Sequence, residues 1–185
     1  LRVLTQRRFP VNGVRLLASA RSAGRRIPFH GSSYRVEELT SRSFAGIDVA
    51  LFSAGAARSL QFGPEAVRRG AIVVDNSSAF RMYPQTPLVI PEVNPQALQG
   101  HRGLIANPNC STIILLVPLA PIHRAARIRR IVVATYQSVS GAGAKAMAQL
   151  YDETKQAIRQ FRVSSSEFRV RPKLETRNPK LATPL

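Results

Sequence analysis

The sequence has a single cysteine, Cys110. That scarcity excludes a disulfide scaffold and a multi-cysteine zinc site. Acidic residues are also few: 10 Asp and Glu stand against 27 Lys and Arg, for a formal net charge of +17. Aromatic residues make up only 6% of the chain, and no RRM, zinc-finger or basic-zipper pattern appears. The charge is therefore read as a solvated basic surface, with a nucleic-acid-binding module as the lesser alternative. Arginine supplies most of it and is spread over the whole chain; only Lys145, Lys155, Lys173 and Lys180 are lysine. No apolar run reaches the roughly 18 residues that a membrane span needs. The opening residues, Leu1-Arg2-Val3-Leu4-Thr5-Gln6-Arg7-Arg8, lack the ordered charged, apolar and small-residue segments of a secretory signal. A cytoplasmic protein with no membrane attachment and no metal is expected.

What is present is an alternation of short apolar runs with helical patterns, which predicts α/β architecture. Residues 14–19 and 47–53 read as strands. Residues 57–69 read as a helix stopped by Gly70, and 71–75 as a parallel strand buried on both faces. Residues 104–106 read as a short strand and 111–126 as a helix kinked or broken at Pro118 and Pro121. Residues 128–139, rich in β-branched side chains, are the longest strand candidate, and 141–161 read as a long helix. From Arg162 onward no period is sustained, and an irregular tail is expected. His30, His101 and His123 fall outside every motif below and read as surface or loop residues.

Chemistry concentrates in a few turns. Asn107-Pro108-Asn109-Cys110-Ser111-Thr112 places Cys110 between a strand and a helix. Helix N-terminal N–H groups stabilise negative charge there, on sulfur or on a carbonyl oxygen bound to it, and Asn109 adds an amide donor. The plain alternative is a buried, inert cysteine beside an Asx turn. Asp75-Asn76-Ser77-Ser78-Ala79-Phe80-Arg81 follows an apolar strand, at the carboxyl edge where α/β folds bind ligands. Arg81 offers a fork for phosphate or carboxylate, or else is a surface residue beside a turn. Tyr136-Gln137-Ser138-Val139-Ser140-Gly141-Ala142-Gly143 allows close backbone approach to an anion, with Gln137 able to hold a polar group, or is simply a tight turn. After the first strand, Ser19, Arg21 and Ser22 stand where an acidic residue would suit a free ribose 2′-hydroxyl. They suit a 2′-phosphate, hence NADP, unless this is a basic loop with no ligand.

Together with Arg8-Phe9-Pro10-Val11, Leu51-Phe52-Ser53-Ala54-Gly55 and Pro91-Glu92-Val93-Asn94, these stretches in this order closely resemble the aspartate-semialdehyde dehydrogenase family, from Leu1 to about Gln160. The acylating reductase of N-acetylglutamyl phosphate and glyceraldehyde-3-phosphate dehydrogenase carry different residues around their cysteines. The resemblance implies NADP-dependent conversion of aspartyl phosphate to aspartate semialdehyde and phosphate, in lysine, threonine and methionine biosynthesis, by a homodimer. It implies that Cys110 is the nucleophile and forms a thioester, that Gln137 orients substrate, and that Arg81 and Asn109 bind substrate and phosphate. It further implies a cofactor cleft lined by Ser19, Arg21, Ser22, Ser53, Ala54, Gly55, Asn76, Ser140, Gly141 and Ala142.

The expected organisation is an incomplete Rossmann-type, parallel-sheet NADP-binding domain over residues 1–109. The start of an α+β catalytic and dimerisation domain follows over 110–161, then the tail over 162–185. The family's Gly-rich pyrophosphate turn and its catalytic histidine are not recognised in the sequence, and Lys173, Glu175, Thr176 and Arg177 are given no role. Without an acid/base histidine the rate would fall by about 10²–10⁴, so the chain alone is expected to be poorly active. A non-catalytic remnant is the alternative.

Overall fold

The computed structural model describes residues 1–164, with side chains through Phe161. Of the expected tail, residues 165–185 lie outside the described residues. The chain divides into compact units, the first Leu1–Ile131 and the second starting at Val132. The division falls after the helix that carries Cys110.

The first unit is α/β. A short helix α1 (Arg2–Gln6) leads to strand β1 (Leu16–Ala18), followed by β2 (Arg26–Phe29), β3 (Ser32–Glu38) and β4 (Val49–Phe52). Then come helix α2 (Ala56–Arg68), β5 (Ile72–Asp75), β6 (Leu104–Ala106) and helix α3 (Cys110–Ala126). The strands form separate three-stranded sheets, ordered β1-β3-β2 and β4-β5-β6. The second sheet is wholly parallel, pairing Val49 with Ile72 and Val73 with Leu104. Its parallel pairing puts the carboxyl ends of β4, β5 and β6 on one edge. The first sheet pairs β1 with β3 in parallel and contains an antiparallel hairpin, β2–β3, that the sequence pattern did not disclose. Its turn is His30-Gly31, with φ of 48° and 77°; two positive φ values match the right-handed twist of a two-residue hairpin.

The core lies between α2 and the second sheet. Phe44, Ala50, Phe52, Phe62, Ala66, Ala71 and Val73 are buried together, and Leu17, Leu39, Ile47, Val67 and Leu104 close around them. Phe44 stacks on Phe52 with ring centroids 5.8 Å apart. Ser59, Phe62, Gly63 and Ala66 recur at helical spacing and form the inner face of α2. Gly63 is needed for close packing, since a Cβ there would meet the Phe80 ring at 3.2 Å. Burying a Phe such as Phe62 contributes roughly 1.5–3 kcal/mol.

Some expectations need correction. Strand β5 is not buried on both faces: α2 covers the face of Val73, whereas Ile72 is exposed, as are Val49 and Leu51 on β4. The helix at Cys110 is not broken at its prolines; α3 runs continuously through Pro118 and Pro121. Residues 128–138 form no strand, although Val139 does begin a short 3₁₀ turn. Ile131, Val132, Val133 and Tyr136 are exposed there, and β propensity without a pairing strand forms no ladder. In the second unit, the 3₁₀ turn Val139–Ala142 precedes helix α4 (Ala144–Ser164), which continues past the expected end at 161. Among the described residues, no helix is long and apolar enough to cross a membrane.

Candidate active site

The site grows from the carboxyl edge of the second sheet. Strand β5 ends in Asp75, which is fully buried. A buried carboxyl group needs donors to replace water, and three reach it. Ser59 Oγ donates to Oδ1 at 2.7 Å from inside α2. The Ser77 N–H donates to Oδ1 at 3.0 Å, and Ser77 Oγ to Oδ2 at 2.7 Å. Ser77 Oγ in turn accepts the Ala79 N–H at 3.1 Å. Asp75 therefore clamps the start of the loop that carries Asn76 and Arg81.

Arg81 is held by carbonyl groups on both sides. Its Nε donates to Asn107 O at 2.9 Å and its Nη2 to Asn76 O at 3.1 Å. Asn107 follows β6, and its N–H donates to Asp75 O at 2.8 Å, continuing the β5–β6 ladder. Its side-chain Nδ2 donates to Asn76 Oδ1 at 2.7 Å. Arg81 and Asn107 are half-buried, Asn76 exposed. The guanidinium thus bridges the loops after β5 and β6, and Nη1 makes no hydrogen bond among the described residues.

From Asn107 the chain turns through Pro108 and Asn109 into α3. Asn109 is the N-cap, in an extended conformation, and its Oδ1 accepts the Ser111 N–H at 2.9 Å. Cys110 is the first helical residue and is exposed. Cys110 is thus not the buried cysteine of the plain alternative. The Cys110 Sγ–H points at Asn109 Oδ1, 3.9 Å away, a weak thiol hydrogen bond. An exposed thiol at a capped helix N-terminus, on the sheet edge that also carries a tethered guanidinium, can add to an electrophilic carbon on an anionic molecule.

On the same edge, β4 ends at Ser53-Ala54-Gly55, all exposed. Gly55 is the N-cap of α2, with φ of 87° and no side-chain cap, so the first N–H groups of α2 are open to a ligand. Ser19, Arg21 and Ser22 form the 3₁₀ turn after β1, where Arg21 is exposed and makes no ion pair among the described residues. An uncapped helix end after one parallel strand and a bare arginine after another fit the polar and anionic parts of a dinucleotide. In the second unit, Ser138 caps the 3₁₀ turn, with its Oγ 2.9 Å from Ser140 Oγ. The Gln137 side chain lies over Gly141, where a Cβ would collide with its amide. Gln137, Ser140, Gly141 and Ala142 are all exposed.

The geometry gathers Ser53, Ala54, Gly55, Asn76, Arg81, Asn109 and Cys110 on one sheet edge. It leaves Ser19, Arg21 and Ser22 on the other sheet and Gln137 to Ala142 in the second unit. Residues that the sequence reading passed over are Ser59, Asp75 and Asn107. The available signal for Ser59 was a hydroxyl within the apolar stripe of α2. His30 is exposed at its hairpin turn, His123 is exposed in the last turn of α3, and His101 Nδ1 accepts the Gly103 N–H at 3.1 Å. No group of three His, Cys, Asp or Glu side chains is placed to hold a metal ion among the described residues.

Residues 1–101 match the family model for the NAD-binding domain of semialdehyde dehydrogenases, and residues 119–180 match the model for their dimerisation domain. The second match continues past Gln160. The chain is 51% identical over 158 residues to an aspartate-semialdehyde dehydrogenase of Bacillus subtilis, covering 85% of this chain and 45% of that protein. The crystal structure of aspartate semialdehyde dehydrogenase II from Vibrio cholerae superposes with a TM-score of 0.78 at 46% identity, covering 86% of this chain and 48% of that one. A Candida albicans aspartate semialdehyde dehydrogenase solved with NADP matches with a TM-score of 0.52 at 27% identity, covering 60% of this chain and 39% of that one. The chain spans about half the length of the curated relatives it matches. On its sequence, its fold and the order of its motifs, the chain belongs to the aspartate-semialdehyde dehydrogenase family.

Proposed function

We propose that this chain carries the nucleophile and much of the dinucleotide cleft of an enzyme that interconverts aspartyl phosphate and aspartate semialdehyde, using NADP and releasing phosphate. The observation that carries the reading is Cys110, exposed as the first residue of α3, at the end of a turn whose Asn107 carbonyl holds the Arg81 guanidinium.

Cys110 gives up its thiol proton to water, and Sγ forms a bond to the acyl carbon of aspartyl phosphate while the carbon–oxygen bond breaks and phosphate leaves with the bonding electron pair, leaving a thioester on the protein. Arg81 holds the phosphate with the N–H groups that its carbonyl tethers leave over. The N-terminal amides of α3 stabilise the oxyanion that develops on the acyl carbonyl, and Asn109 keeps that turn in place. NADPH, when bound, supplies the hydride that reduces the thioester. Ser53, Ala54, Gly55 and Asn76 line its cleft, and Ser19, Arg21 and Ser22 hold the adenosine 2′-phosphate. The family resemblance assigns Gln137 to orienting the substrate and Ser140, Gly141 and Ala142 to the cofactor. The domain reading that goes with this is a cofactor domain over residues 1–109 and the start of a catalytic and dimerisation domain from 110 onward. A cytoplasmic homodimer serving lysine, threonine and methionine biosynthesis completes it.

The test is acylation of the protein. Incubation with aspartyl phosphate, acid quench and mass spectrometry should show one aspartyl adduct on the peptide containing Cys110. It should be absent from Cys110→Ala. An adduct of equal yield in Cys110→Ala, or none in the native chain while Cys110 still alkylates, overturns the assignment.

A further inference from the structure

We infer that Asn107 is a positioning residue that sets the anion-binding Arg81 against Cys110 by bracing Asn76; this rests on the reading of Arg81 and Cys110 given above. Asn107 is hydrogen-bonded to Asp75, Arg81 and Asn76 alike. Its N–H is fixed on Asp75 O at 2.8 Å, its carbonyl oxygen accepts Arg81 Nε at 2.9 Å, and its side chain donates to Asn76 Oδ1 at 2.7 Å. Asn76 in turn presents the carbonyl oxygen that holds Arg81 Nη2 at 3.1 Å. The guanidinium is thus steered from two sides, and the Asn107–Asn76 side-chain bond ties those sides together.

The same residue begins the turn into α3. Cys110 lies three residues on, so its Cα is within about 11 Å of the Asn107 Cα. Pro108 between them is buried and has a fixed φ, so the turn offers little slack. Below the brace, the buried Asp75 clamp holds the start of the loop through Ser59 and Ser77. Removing the Asn107 amide leaves the fold's ladder bond and the Arg81 Nε bond intact, because both use backbone atoms. What it releases is the Asn76 side chain: the Asn76 N–H stays on Phe52 O at 2.9 Å, while the carbonyl that holds Arg81 Nη2 loses its lateral brace to the β6 side. Positioning of reacting groups is sensitive to displacements of this size.

The readout is the concentration of inorganic phosphate that halves the rate of Cys110 alkylation by iodoacetamide, a neutral reagent. In the native chain, phosphate on Arg81 shields the thiol. Asn107→Ala should raise that concentration roughly fivefold, the worth of one neutral hydrogen bond. Asn76→Ala breaks the same bond from its exposed end and should do the same, and the double variant should lose no more than either single one. A fall in thermal midpoint with no change in phosphate protection would mean a purely structural role and overturns the inference. So do fully additive effects in the double variant. Arg81→Ala separates the two readings. If it abolishes protection while Asn107→Ala leaves it unchanged, the inference alone fails. If it leaves protection untouched, the Arg81 reading fails and the inference falls with it.

Discussion

Replacing Ser59 by Ala isolates the buried clamp beneath the site. Ser59 and Asp75 are both fully buried, and Ser59 Oγ donates to Asp75 Oδ1 at 2.7 Å. The substitution leaves Oδ1 with the Ser77 N–H alone and admits no water to replace the hydroxyl. A hydrogen bond to a carboxylate contributes about 1.5–3 kcal/mol. Ser59 sits within α2, where Ala is the better helix former by about 0.5 kcal/mol, which offsets part of the loss. The net cost is then about 1–2.5 kcal/mol. Urea unfolding followed by far-UV circular dichroism measures it; with an m-value of about 1–3 kcal/mol per molar, the midpoint should fall by roughly 1 M. Ser33→Ala, at an exposed position on β3, serves as the reference and should stay within about 0.5 kcal/mol of the native chain. A Ser59→Ala midpoint no lower than that of Ser33→Ala would show that the clamp contributes no net stability, and the argument that Asp75 fixes the Arg81 loop would fail with it.

Gly103→Ala should be costly, because φ is +87° and a Cβ would stand 2.7 Å from Val67 Cγ1. Left-handed strain of about 1–2 kcal/mol adds to overpacking of about 1–3 kcal/mol, and a thermal midpoint unchanged from native refutes the packing. Phe44→Ala removes the ring that stacks on Phe52 in the core and should destabilise by about 3–5 kcal/mol by the same urea assay. Asn109→Ala removes the cap on α3, which should cost about 1 kcal/mol and change the alkylation rate of Cys110. An identical rate would mean that the cap does not set the thiol's surroundings.

Much of the first unit was legible because its signals are local. The strands at 47–53, 71–75 and 104–106 appear within a residue or two of expectation, since short β-branched runs between turn residues have few other folds open to them. Cys110 at a strand-to-helix turn was readable from the apolar helical run behind it, but the helix begins one residue earlier than expected, and Asn109 serves as its cap through an accepting oxygen rather than a donating amide. The β2–β3 hairpin was missed because His30-Gly31 is not among the common turn dipeptides, and because its stability depends on pairing with β1. Residues 128–138 misled in the opposite direction. Their composition favours a strand, but none of the described strands pairs with them.

The sequence by itself determined the α/β class, the order of the motifs and the residue types at each turn: a cysteine after an asparagine where a strand gives way to a helix, an arginine after a strand, glycines ahead of a long helix. These follow from side-chain chemistry and from periods within a few residues. Only the tertiary structure decided what those residues do to one another. Asp75 reads in the sequence as the end of a buried strand with no partner in view, yet it accepts from Ser59, 16 positions earlier. Asn107 reads as the start of a cysteine motif, yet it braces Asn76 across 31 positions. Such hydrogen bonds carry no periodic signature. They form because parallel pairing of β4, β5 and β6 brings three strand ends to one edge, where polar groups that leave water must find partners in each other.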